Sequence, residues 1–124
     1  MKVECALGEV VDKLTILRIK EQRLPPPALE DVRREIDALV EAWSAEIAIP
    51  VEAVDGYAEL DRVNRELWDV EDALREHERR GDFGERFVAL ARAVYHLNDL
   101  RAACKRRINL ALGSRLVEHK SYGA

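Results

Sequence analysis

The sequence predicts an all-α protein, an antiparallel up-and-down bundle of three to four helices built on a long hairpin of the third and fourth helices. Three observations predict it. Leu60, Val63, Leu67, Val70 and Leu74 recur at steps of three and four, and so do Phe87, Leu90, Val94 and Leu97; such steps mark one face of a helix. Folding the second stretch back on the first about Asp82 sets Leu74 opposite Leu90, Val70 opposite Val94, Leu67 opposite Leu97 and Leu60 opposite Cys104, with one polar interruption where Val63 meets Arg101. The turn chemistry agrees independently. Gly81 suits a left-handed C-terminal cap, and Asp82 with Glu85 three residues on reads as an acidic capping box that starts the next helix.

In chain order, a short lead over residues 1–7 gives way to a first helix from about Gly8 to Arg23, with Glu9 favourably placed in its first turn. Pro25, Pro26 and Pro27 stop it. Proline is tolerated in a helix's first turn, so Pro27 also opens the second helix, which runs to about Ile47 with Leu29, Val32, Ile36, Leu39, Val40, Trp43 and Ile47 on its inner stripe. Pro50 and Gly56 bound a connector, and Asp55 is the expected N-cap of helix three. Helix three ends at Arg80. Helix four runs to about Leu112 and stops at Gly113, roughly 30 residues or about 45 Å. One helical-bundle domain over residues 1–124 is expected, with no internal repeat or low-complexity stretch.

Two helices carry hints about packing. Helix four is apolar or small on almost every face of its middle section, with Ala89, Ala91, Ala93, Ala102 and Ala103 around the seam, and is expected to be the central helix. Helix one is apolar on two sides: Val10, Leu14 and Leu17 define one face, while at 100° per residue Ile16 and Ile19 point nearly the opposite way beside Asp12 and Thr15. Such a helix needs two partners. Either the bundle wraps it or a second subunit does, and a homodimer is the expectation in so small a protein.

Composition narrows the function. With 48% hydrophobic and 35% charged residues the chain reads as globular and not disordered. The net charge of −4 argues against a nucleic-acid binder, which would carry a basic footprint. No apolar run approaches the roughly 20 residues that cross a bilayer, so no membrane partner and a cytoplasmic location are expected. Cys5 and Cys104 are far apart without metal-site spacing, and His77, His96 and His119 are scattered, so neither a disulfide, a metal nor another cofactor is assigned. A seam position suits Cys104 as a small buried hydrophobe.

The candidate site lies beside the seam. Centring the pairing on Gly81 instead of Asp82 places Asn64 opposite Asn98, Tyr57 opposite Lys105 and Glu71 near Ala91. Asn64, Glu71, Asn98, Arg101 and Lys105 should therefore line one groove. Buried polar groups need partners, since an unsatisfied one costs about 1 to 3 kcal/mol. On one reading Arg101 pairs with Glu66, Glu71 or a helix-one carboxylate such as Asp12 and fixes the register of the bundle. On the other, Arg101 and Lys105 hold the phosphate or carboxylate of a small molecule, Asn64 and Asn98 orient it, and Trp68 or Tyr95 supplies a stacking wall. Spacing alone does not separate the two. Lys120 and Tyr122 of the C-terminal tail would reach this groove if the tail packed on the bundle.

Catalysis finds little support. Glu66 and Asp69 have the spacing by which all-helical nucleotide pyrophosphohydrolases hold magnesium, but helix four has no second acidic pair, only Asp99 beside Asn98. The first-helix signature of a helical chorismate mutase is not recognisable. No glycine-rich phosphate loop is present, nor a serine or cysteine set beside a histidine at a sharp turn, so no catalytic residue is assigned.

The segments GEVVDKLTILRIK, NRELWDVEDA, LARAVYHLNDLRAACKRRIN and GSRLVEHKSY resemble the characteristic blocks of a bacterial family of small helical proteins recorded only as a domain of unknown function. The resemblance brings no activity or catalytic residue. It implies a cytoplasmic, bacterial, stand-alone domain and makes Asp12, Lys13, Asn64, Asn98, Asp99, Lys105 and Asn109 natural positions to mutate. The expected function is a non-catalytic binding or assembly module, a helical homodimer, with a small enzyme or sensor of an anionic metabolite as the alternative.

Overall fold

Four helices form in a computed structural model that describes residues 3–113: α1 (Leu7–Arg23), α2 (Ala28–Glu46), α3 (Tyr57–Arg80) and α4 (Glu85–Ala111), with a single 3-10 turn at Val51–Ala53 before α3. Cross-helix pairs fix the directions. Lys13 meets Glu35 and Glu21 meets Arg33, so α2 runs antiparallel to α1. Asp12 meets Asn64 and Arg23 meets Asp69, so α3 runs parallel to it. Gly8 meets Asn109 and Asp12 meets Arg101, so α4 runs antiparallel. The topology is the up-and-down bundle expected, and the α3/α4 hairpin is its most extensive helix pair.

The hairpin seam divides into two stretches. Leu60 and Cys104 join the main core with Val11, Leu14, Leu17, Val32, Ile36, Trp43 and Ile108. Val63, Leu67 and Leu97 form a second cluster, with Val70 and Val94 partly buried against it. Cys104 is thus the small buried hydrophobe its seam position implied. Gly81 caps α3 in the left-handed conformation as expected, with its N–H donating to the Glu78 carbonyl and that of Asp82 to His77. His77 is buried beneath the turn against Phe87, a packing role.

Three expectations are corrected. Asp55 does not cap α3. Gly56 takes that position at φ 101°, a conformation costly for any residue with a Cβ, and Asp55 instead accepts a hydrogen bond from Arg107 at 2.6 Å. The Asp82–Glu85 capping box does not form either: α4 begins two residues later than that box implies, with Gly84 as N-cap, and the Asp82 carboxylate accepts from the Gly84 N–H at 3.2 Å. The central helix is α1, not α4. Only α1 packs extensively against all three others, and Val11, Leu14, Thr15 and Ile19 are completely buried on it. Small residues along α4 do allow close approach, but its N-terminal half has a neighbour only in α3. Leu14 and Leu17 on one apolar face of α1 and Ile19 on the other are buried within one chain, while Val10 and Ile16 stay half-buried.

Candidate functional site

The polar interruption is built from one turn of α1 laid across the hairpin. Helical geometry puts Asp12 and Thr15 on one face of α1, and that face meets Asn64 of α3 and Arg101 of α4. The Asp12 carboxylate is the hub. Its Oδ1 accepts from Arg101 Nε at 2.9 Å and from Asn64 Nδ2 at 3.0 Å, and its Oδ2 accepts from Arg101 Nη2 at 2.6 Å. This is the two-pronged guanidinium–carboxylate pairing that gives such bonds both strength and direction. Asn64 Nδ2 also donates to Thr15 Oγ1 at 2.7 Å, and that hydroxyl donates to the Asp12 carbonyl at 2.7 Å. Asp12, Thr15 and Asn64 are all buried, whereas the Arg101 side chain keeps 31% of its exposure. Hydrogen bonding to Asp12 raises the Arg101 pKa above its ordinary value, with burial opposing.

One and two turns further along α4 the same helix pair makes two more polar contacts. Lys105 Nζ lies 2.6 Å from Glu9 Oε1, and Asn109 Oδ1 accepts the Gly8 N–H at 2.6 Å. The latter bond explains how α1 starts after Ala6, a residue with no capping side chain: a first-turn amide is satisfied from α4 instead. Gly8 permits it by letting the helices touch, since a Cβ there would stand 2.6 Å from the Lys105 carbonyl oxygen.

Of the six residues expected to share a site, Asp12, Asn64 and Arg101 converge directly. Lys105 belongs to the neighbouring Glu9 contact. Glu71 is exposed, 4.0 Å from Arg75, and reaches Arg101 only through its charge. Asn98 is half-buried and makes no hydrogen bond to Asn64, whose amide is taken by α1. Thr15 and Asn109 were not among the six. The signal for Thr15 was its place beside Asp12 on the second face of helix one; the signal for Asn109 was a helix one lacking its own N-cap. Lys120 and Tyr122 lie outside the described residues.

Helix α1 thus fills the groove that the hairpin alone would leave open. A different groove runs over the remaining face of α1, between α2 and α4. It encloses about 780 Å³, with Val10, Ile16, Leu17 and Leu39 as apolar lining and Arg101 and Lys20 among its cations. Among the described residues no three His, Cys, Asp or Glu side chains gather as a metal site requires, and Asp69, the would-be magnesium partner of Glu66, pairs with Arg23 at 2.7 Å. Among the same residues no helix is long and apolar enough to cross a membrane.

Neither a curated protein nor a solved structure matches this chain. A family model does match, described as a family of unknown function (DUF6165), and it extends over residues 1–124. The chain, with its buried Asp12–Asn64–Arg101 layer, belongs to that family.

Proposed function

We propose that the protein is an assembly module without catalysis of its own, a homodimer formed through the distal arm of the α3/α4 hairpin. The observation that carries this reading is the open flank of that arm. Helix α1 ends at Arg23, which pairs with Asp69 and lies over the Trp68 ring, so residues 70–80 of α3 run on for about 16 Å beyond it. Over that stretch the seam residues Val70, Leu74, Phe87, Leu90 and Val94 are half-buried, where Leu60 and Val63 are shut away. On α4, Phe87, Val88, Ala91 and Tyr95 fall within an arc of about 100°. That arc overlaps the flank that α1 occupies further along, at Arg101, Lys105 and Asn109. Val88 is 50% and Tyr95 74% exposed.

A lone pair of helices buries little apolar surface. Two such arms related by a two-fold axis make a four-helix bundle in which each covers the other's flank. Ala91 allows close approach there. The polar residues of the seam support the same reading, because Asp12, Asn64 and Arg101 hold one another. As part of this proposal we place the chain in the reducing cytoplasm of a bacterial cell, where free cysteines such as Cys5 and Cys104 are ordinary.

Sedimentation velocity over a concentration series tests this. The wild-type chain should reach dimer mass, and Val88→Asp and Tyr95→Asp should return it to a monomer of unchanged helix content. A chain that stays monomeric at all concentrations, or a dimer indifferent to both substitutions, would overturn the reading.

A further inference from the structure

We propose that the groove over α1, between α2 and α4, binds a small amphipathic carboxylate, with its anionic head between Lys20 and Arg101 and its apolar body along Ile16, Leu17 and Leu39. At about 780 Å³ the groove falls within the range of roughly 300 to 1,000 Å³ typical of small-molecule sites. Its lining carries three carboxylates and three cations, but Glu9 is also paired with Lys105, which lies outside the lining. Asp12 is neutralised by Arg101, Glu9 by Lys105 and Glu35 by Lys13, the last at 3.0 Å. Lys20 has no carboxylate partner among the described residues, so one positive charge is left over.

Arg101 offers a second donor. It spends Nε and Nη2 on Asp12, leaving Nη1 unburied and without a partner among the described residues. On α1, Ile16 and Lys20 follow Asp12 at steps of four on one side of the helix, and Lys20 lines the same groove as Arg101. The two donors flank an apolar floor, the combination that orients a ligand with one charged end. One surplus charge matches a carboxylate, whereas a phosphate monoester carries about 1.5 to 2 negative charges near neutrality.

Octanoate is the probe, titrated into the 124-residue chain by calorimetry and by proton–nitrogen correlation NMR. Saturable one-site binding is expected, with shifts grouped at residues 13–20, 35–39 and 101. Lys20→Gln, at a half-buried position, should weaken binding at least tenfold, and octanamide should bind the wild-type chain at least tenfold more weakly than octanoate. Ile16→Glu, which puts a carboxylate beneath the head group, should abolish binding. Absence of saturable binding, unchanged affinity in Lys20→Gln, equal affinity for octanamide, or shifts confined to the hairpin arm would each overturn the proposal. None of these outcomes bears on the dimer, which is read from mass and through Val88 and Tyr95.

Discussion

The two halves of the α3/α4 hairpin carry the same apolar repeat and reach different states. In the proximal half α1 lies across the seam, so Leu60, Val63 and Ile108 are nearly or wholly inaccessible, and even the polar rung is closed by Asp12 and Thr15. In the distal half the repeat continues through Val70, Leu74, Leu90 and Val94, but only two helices are present and the same residue types stay half-buried. An apolar repeat therefore specifies which helices pair. Whether the pair becomes a core depends on a third element covering it, because burial is a property of all the surroundings and not of the two faces in contact.

Truncation at equivalent rungs tests this most strongly. Leu60→Ala should cost about 4 kcal/mol and Leu74→Ala about 1 kcal/mol in urea unfolding at low protein concentration, because the cost scales with the burial lost and the cavity left. Equal losses would break the comparison. Raising the protein concentration sharpens it: if arms pack on arms, the Leu74→Ala penalty should grow with concentration while that of Leu60→Ala stays constant.

Charge pairs should divide in the same way. Asp12→Ala strands Arg101 and the Asn64 amide and should cost about 3 kcal/mol, at the low end for a broken buried pair because the guanidinium reaches solvent. The double variant Asp12→Leu with Arg101→Met should recover most of that loss while keeping the helix content. In the distal arm Arg75, exposed and paired with Asp72, should change stability by less than about 0.5 kcal/mol when replaced by alanine. An arm pair worth as much as the buried one would contradict the distinction.

Close approach of backbones gives a smaller effect. Gly8→Ala puts a Cβ 2.9 Å from Asn109 Oδ1 as well as against the Lys105 carbonyl, and should cost about 2 kcal/mol through forced separation of α1 and α4. Thermal unfolding checks it, and a neutral result would mean that the proximal helices are not held at the spacing described. The mildest probe is alkylation at pH 8. Cys5 is exposed and should react first, while Cys104, buried and with its thiol pKa pushed up by that burial, should react only as fast as the proximal half opens.

Much of the fold was legible because helix pairing leaves a periodic trace. The seam rungs, the Gly81 cap and the three-proline break all appear as local spacing or as special backbone residues. Helix starts were less legible. Asp55 and Asp82 have the right side chain for an N-cap, but at Gly56 the chain needs a left-handed turn that glycine takes at least cost, with Ile108 3.0 Å from where a Cβ would be. The partner of Arg101 was legible as a short set of carboxylates and not as one residue, since a guanidinium can turn toward several. The choice of Asp12 followed from the rotation of α1, which no local pattern encodes.

By itself the sequence determined that there are helices, where the hairpin turns, and that a guanidinium interrupts its seam. Those features depend on side chains within a few residues of one another or on a repeat that two helices must share. Tertiary structure alone decided that α1 is the central helix, that its Asp12 neutralises Arg101, and that a groove opens between α2 and α4. The physical reason is geometric: helix α1 has more than one face able to pack, and the face that meets the hairpin is chosen by the joint satisfaction of Asp12, Thr15, Asn64 and Asn109, groups up to about 100 residues apart in the chain.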